Sequence, residues 1–274
     1  MKRNASLFII TSIFFLLLTG CKKDHGDPPT LPLAATMKID FENFKNDTKS
    51  DPLDLQMKGE QITNWKFAAG TTLIWRTLIN TTFAIPVEAF RLAQGKSPEY
   101  TGDNTWEWKY SASITVGQAT ANYNARLTGQ IRSNDVLWKM NISKEGSGAF
   151  SEFVWFEGTS ALNGNSGSWI FNESSQSLVP VLKIDWTKSG DAISKIKYTY
   201  IKTGSLLNNS YIDYGLTTNT LNAYFNIHFF NTTYQTIYDV IIEWNTSEGN
   251  GRVQCINHFG DSEWYSWDRH HINI

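Results

Sequence analysis

From Thr105 onward apolar and polar residues alternate one for one, and this period of two constrains the fold more than any other feature of the chain. Trp106, Trp108, Tyr110, Ala112, Ile114 and Val116 alternate with Glu107, Lys109, Ser111, Ser113 and Thr115. Tyr123, Ala125, Leu127 and Ile131 alternate with Asn122, Asn124, Arg126 and Gln130, and Val136, Trp138, Met140 and Ile142 with Leu137, Lys139 and Asn141. Successive side chains of a strand point to opposite faces, so the pattern describes antiparallel strands with one face buried. Further strands are expected near residues 150–158, 167–173, 179–187, 193–201, 221–230, 236–245 and 252–259. Turn signals separate them: Ser133-Asn134-Asp135, Gly146-Ser147-Gly148, Gly164-Asn165-Ser166-Gly167, Ser189-Gly190-Asp191 and Gly249-Asn250-Gly251. A run of about ten strands curls or closes, and closure removes exposed edges. The expected fold is therefore mostly β, an antiparallel meander forming a barrel or a strongly curved sheet. Three strands carry an acid followed by tryptophan: Glu107-Trp108, Asp185-Trp186 and Glu243-Trp244. Their wide spacing is not that of a solenoid. They read as strands meeting the same packing demand.

Residues 71–95 have a different period. Ile74, Leu78, Ile85, Ala89 and Leu92 recur at helical spacing, and Trp75, Ile79, Phe83, Phe90 and Ala93 form a neighbouring stripe. Thr71 or Thr72 is the expected N-cap, and Gly95 the expected stop. Pro86 must kink this helix or begin a second one. Apolar over most of its circumference, the helix is expected to pack against the sheet. Arg76, Asn80 and Glu88 speak against a membrane span. An amphipathic helix lying on a membrane surface is the alternative.

The N-terminus has the order of an export signal. Lys2 and Arg3 precede an apolar run from Leu7 to Leu18, and Thr19-Gly20-Cys21 follows. As a helix that run reaches roughly 18 Å, short of the ~30 Å needed to span a bilayer. An uncleaved transmembrane helix is the competing reading. Leu18-Thr19-Gly20-Cys21 resembles the lipobox of bacterial lipoproteins. The resemblance implies that residues 1–20 are removed and that Cys21 carries a thioether lipid. With Lys22 rather than Asp next, it also implies sorting to the outer membrane, facing the periplasm or the surface. Two or more acyl chains hold a protein stably where one does not. The division that follows is a signal peptide over 1–20, a lipidated tether over 21–36 and a single mostly-β domain over 37–274. The tether assignment rests on Gly26, Pro28, Pro29 and Pro32 among charges.

Loss of the signal takes the formal charge from −2 to −4, too mild to suggest nucleic acid as a partner. The chain has two cysteines. With Cys21 acylated, Cys255 has no disulfide partner, so the core must hold the fold. Eleven Trp, eleven Tyr and sixteen Phe supply the area to do so. The segments Ala125-Arg126-Leu127-Thr128-Gly129, Trp138 to Lys144, Trp155 to Ser160, Gly167-Ser168-Trp169 and Phe259 to Trp264 with Trp267-Asp268 resemble an uncharacterised family of bacterial secreted or lipoprotein domains. That resemblance covers roughly residues 65 to 270 and implies a fold and a location, not a reaction.

No catalytic motif is present: there is no Gly-x-Ser-x-Gly elbow, no phosphate-binding loop and no His-Glu-x-x-His helix. Cys255 is expected on an alternating strand, with His258 on the opposite face, and so as a structural thiol. Asp268, His270 and His271 could contribute to a metal site, but a solvated tail is the simpler reading, and neither a metal nor another cofactor is expected. Glu157, Asp185, Glu243, Asp261 and Glu263 are candidates for the carboxylate pair of a glycan hydrolase. The aromatic cluster late in the chain, beside acids, suits a sugar or another small molecule. Trp244, Trp264, Trp267, Asp261 and Asp268 are the candidate ligand-binding residues. The leading expectation is a non-enzymatic envelope lipoprotein that binds or carries a small apolar or sugar-like ligand. A glycan-acting hydrolase and a structural adaptor of an envelope complex are the alternatives.

Overall fold

The computed structural model describes residues 25–45 and 62–274. Cys21 and the signal segment lie outside the described residues. Among the described residues one antiparallel sheet holds thirteen strands, each paired with its sequence neighbours. The first seven are β1 (Glu99–Gly102), β2 (Thr105–Val116), β3 (Ala119–Ile131), β4 (Asp135–Lys144), β5 (Phe150–Ala161), β6 (Ser166–Ser174) and β7 (Ser177–Ser189). The other six are β8 (Ala192–Tyr200), β9 (Tyr211–Leu216), β10 (Ala223–Asn231), β11 (Thr236–Trp244), β12 (Gly251–Gln254) and β13 (Tyr265–Trp267). The alternation expected from the sequence sets the faces. Trp108, Ala112 and Ile114 of β2, Tyr123, Ala125 and Leu127 of β3, and Val136, Trp138, Met140 and Ile142 of β4 are all buried on one side.

The sheet is not closed into a barrel, because β1 and β13 remain its two edges. Both edges are short, four and three residues, which limits the unpaired backbone they offer. His25 stacks on Tyr100 of β1 at 3.9 Å, and Asn273 bridges to Trp267 of β13. Edge cover has thus replaced closure.

Large rings and glycines interleave across the buried face. Trp106, Gly129, Trp138, Gly158 and Trp169 are successive partners across β2 to β6. Gly167 pairs with Trp186, and Trp244, Gly251 and Trp267 run across β11 to β13. A glycine inside a strand marks a close approach, and here the approaching group is an indole. A Cβ at Gly129 would lie 2.5 Å from Trp138 Cζ3, and one at Gly167 2.6 Å from Trp186 Cζ2.

Two helices and the N-terminal segment cover this face. Helix α1 (Asn64–Thr77) leads through a π-helical turn (Leu78–Thr82) into α2 (Ala84–Ala93). The helix is capped eight residues before the first expected cap, by Thr63, whose side chain accepts from the Lys66 amide at 3.2 Å. Thr71 and Thr72 sit buried in mid-helix, their hydroxyls donating to the carbonyls of Ala68 and Ala69. A second helix does begin here, at Ala84, but Pro86 is its third residue rather than its first. Phe90 packs on Phe156 and Trp169, and Phe83 on Phe171. Helix α1 lies on β12 and β13, whereas α2 lies on β2, β3 and β4. The strand expected over 252–259 ends at Gln254. A short helix α3 (Ile256–Phe259) follows, with Cys255 at its N-cap.

The segment expected to be a tether is packed from Pro29 onward, where Pro29, Pro32 and Thr36 are buried. Its last residue and the segment that follows it satisfy the rings of the sheet. Trp169 Nε1 donates to Thr36 Oγ1 at 3.1 Å, Tyr198 Oη donates to the Met37 carbonyl at 2.8 Å and Trp244 Nε1 donates to Asn43 Oδ1 at 3.2 Å. Phe44 meets Trp244 edge-on at 4.9 Å. Burying large apolar side chains of this kind contributes about 1.5–3 kcal/mol each, and buried indoles need such acceptors.

Candidate functional site

The π-helical turn has a local cause. Leu78-Ile79-Asn80-Thr81-Thr82 is rich in β-branched residues of low helix propensity. Four residues beyond Thr82 stands Pro86, which has no N–H to bond the Thr82 carbonyl and a ring that crowds it. The ladder shifts instead, and the Phe83 amide donates to the Leu78 carbonyl at 3.2 Å, five residues back. Phe83, at φ −108° and ψ 10°, turns the chain into α2. The result is a helical elbow, and π turns of this kind are frequent at functional sites.

Beneath the elbow lies a cleft of about 400 Å³. Helix α1 and the π turn supply Ile74, Trp75, Thr77, Leu78, Thr81 and Thr82 as one wall. Tyr200 at the end of β8, Leu207 and Ser210 of the following loop, and Phe229 of β10 form the other. No acid or base is among these lining residues. Ile74 keeps 43 % of its surface exposed, and Leu206, beside Leu207 in the loop, keeps 66 %. Trp75 is 3 % exposed, and its indole N–H is buried without a hydrogen-bond partner. Thr81 Oγ1 donates to the Thr77 carbonyl at 2.7 Å.

The residues singled out from the sequence are divided between the two faces of the sheet. Trp244 and Trp267 are fully buried, with Trp267 Nε1 donating to the Gly249 carbonyl at 2.9 Å, so neither offers a ring face to a ligand. Trp264 lies half-buried under the Arg252 guanidinium, 4.1 Å from its ring centre. Asp261 accepts from the Glu263 amide and from the Tyr265 hydroxyl, at 3.0 and 2.9 Å. Asp268 accepts from the amides of His270 and Ile272, both at 2.9 Å, and the Ile272 amide foremost holds its carboxyl below the usual range. Asp268 and His270 line a shallow depression with Glu248 and Asn250 that is larger than the cleft but open to solvent. The His271 ring turns away from it to stack on Trp65 at 3.9 Å. Among the described residues no group of three or more His, Cys, Asp or Glu could hold a metal ion.

The acids of the acid-tryptophan steps face outward to cations while the indoles face inward. Glu243 pairs with Arg252, Asp185 with Lys183 at 2.8 Å, and Glu107 with Arg126 at 3.6 Å. Glu157 faces Lys139 at 3.9 Å. Cys255 is buried, burial pushes its thiol pKa up, and the thiol is therefore far from a reactive thiolate.

Of the cleft residues, Ile74, Trp75 and Leu78 carried a sequence signal as parts of the two helical stripes. Leu207 and Ser210 carried none, because a loop has no period to read. Among the described residues no helix is long and apolar enough to cross a membrane. Compared with protein-family models, curated proteins and solved structures, the chain finds no match in any of the three.

Proposed function

We propose that this chain is a lipid-anchored envelope protein whose folded part carries a small apolar ligand in the cleft under the elbow. One observation carries the reading: a ligand-sized cavity walled by Ile74, Trp75, Leu78, Leu207, Tyr200 and Phe229, with no charged group in it. Ligand sites run from about 300 to 1,000 Å³ and are mostly apolar. The arrangement of the covering elements fits a sheet that curls around the helices. Phe90 of α2 reaches Trp169 on β6, while the Ala89 carbonyl beside it accepts from Tyr110 on β2. Those strands stand roughly 19 Å apart in a flat sheet at ~4.8 Å per strand. A curl brings both within reach of one helix.

Four of the five candidate acids give a hydrolase little to work with, since Glu157, Asp185 and Glu243 face cations and Asp261 a hydroxyl and an amide. A sugar-like ligand loses two of its three candidate rings, Trp244 and Trp267, to the core, and Arg252 lies over the third, Trp264. Membrane attachment rests on the lipobox-like Leu18-Thr19-Gly20-Cys21, outside the described residues.

Two measurements test the proposal. Labelled palmitate should enter the wild-type chain in cells and be absent from Cys21→Ala; labelling that persists removes the anchor. The Cys21→Ala chain, lacking its own acyl groups, should bind a fluorescent acyl probe, and Leu207→Trp, which fills the cleft from a loop, should weaken that binding at least tenfold. A wild-type cleft that leaves the probe's emission unchanged ends the carrier reading.

A further inference from the structure

We infer that the uncovered edge of β2 takes an extended acidic segment of a partner protein as an added strand. Strand β1 pairs with Thr105, Trp106 and Glu107 of β2, whereas β3 pairs with β2 along its whole length. Lys109 to Val116 are therefore a strand edge of their own. The direction of its backbone groups follows from one bond. The Ile131 amide donates to the Asn104 carbonyl at 2.9 Å. Bonded and unbonded residues alternate along an antiparallel pair, so the even-numbered residues of β2 bond to β3 and the odd-numbered ones point away. Among the described residues no strand or turn bonds the outward amides and carbonyls of Lys109, Ser111, Ser113 and Thr115. All four residues are exposed. Such a row of donors and acceptors is the template for strand addition.

There is room beside this edge, and its charge selects the occupant. A hollow of about 350 Å³ is lined by Ser113 and Thr115 of the edge together with Lys38, Asn80, Ala84 and Glu88. An added strand runs about 4.8 Å from its neighbour, which places its first residues at this hollow. Glu88 is already held by Arg91. Toward the other end Lys109 stands opposite Arg126 of β3, and like charges on neighbouring strands repel. Arg126 has Glu107 and Glu152 as partners. Glu152 feels the charge of Lys109 but is bound to Arg126. Lys96 adds a second cation here, 6.0 Å over the Tyr110 ring. An acid on the added strand, opposite Lys109, supplies the missing counter-charge. A second copy of β2 does not, because residues 109–116 contain no acid and Glu107 is covered by β1.

The test pans a displayed library of random heptapeptides against the full Cys21→Ala chain and follows amide hydrogen exchange in β2. In the free chain the amides of Ser111, Ser113 and Thr115 are expected to exchange fast, and those of Ala112 and Ile114, bonded to β3, slowly. Recovered peptides should carry Asp or Glu, protect the odd-numbered amides and bind Lys109→Glu about tenfold more weakly. Ser113→Pro deletes one outward donor without touching the β3 ladder and should weaken every recovered peptide. Should Ser113→Pro fail to fold, Lys109→Glu and the exchange pattern decide. Slow exchange of the odd-numbered amides in the dilute free chain means that the chain covers this edge itself, and overturns the inference. Protection that comes only on concentrating the chain makes a second copy the occupant and overturns it too. So does a library that yields no binder, or peptides that leave these amides unprotected or bind Lys109→Glu undiminished. The carrier reading stands or falls separately, on the acyl probe in the cleft.

Discussion

At the scale of single residues, the glycines inside strands explain how so many indoles fit on one face. Gly129 is the cleanest case, because everything near its missing Cβ is side chain: Trp138 Cζ3 at 2.5 Å, Trp138 Cε3 at 3.0 Å and Pro29 Cγ at 3.1 Å. Gly129→Ala pushes a methyl into the Trp138 ring, and overpacking of this kind costs roughly 1–3 kcal/mol. In a Trp138→Leu background the same methyl meets space instead, so the cost of Gly129→Ala should fall. Denaturant unfolding of the four chains of this cycle measures the coupling; equal costs in both backgrounds would show that the glycine is not there for the ring. Gly129, Trp138, Gly158, Gly167 and Trp169 belong to this interleaved set. Which ring would cover which glycine was not legible in the sequence, because pairing register across strands follows from turn geometry that alternation alone does not specify.

At the scale of elements, the strands were legible and the helix boundaries were not. Each strand pairs with its sequence neighbour, so alternation and turn residues, both local signals, are sufficient to read a meander. Strands β1, β9 and β13, of four, six and three residues, are too short for a period of two to stand out. Helix α1 starts before Thr71 because Trp65, Ala68, Ala69 and Thr72 continue its buried stripe through Gly70, a residue that reads as a break only when packing is ignored. The cap assignment has a direct consequence. Thr63→Ala should cost about 1 kcal/mol, and Thr63→Asp should restore most of it, since aspartate caps as well and suits the helix dipole. Thermal melts of both variants check this, and a silent Thr63→Ala would place the helix start elsewhere.

At the scale of the whole molecule, an open sheet depends on contacts that its strand pairing does not supply. The two ends of the described chain provide them. Residues 29–44 run under the rings of β6, β8 and β11, while the C-terminal part clamps α1 through two histidines. His271 stacks on Trp65 at 3.9 Å, and His258 on Phe67 at 3.8 Å. None of this was legible in the sequence, where long-range docking leaves no period and His258 was assigned to a strand. Burial desolvates both imidazoles and lowers their pKa below the ordinary value, with Asp268 partly opposing this at His271. The sign follows from linkage. Unfolded histidines take up protons near pH ~6.5 and the folded ones do so only at lower pH. Between those values the unfolded chain binds more protons, and stability falls as pH falls. The clamp is therefore intact above pH ~6.5 and weakens below it. The carboxyl of Asp268, also lowered, adds its own loss only at more acid pH, so the two windows separate. The melting temperature should drop between pH 7.5 and pH 5.5, and the drop should shrink in the double variant His258→Phe, His271→Phe, where rings of similar shape carry no titratable nitrogen. Hydrogen exchange should show the loss first in the amides of α1, the helix that both rings hold and that supplies Trp75 to the cleft. An acid-induced drop of equal size in the double variant would mean that the histidines are not what fastens this edge of the sheet to the elbow.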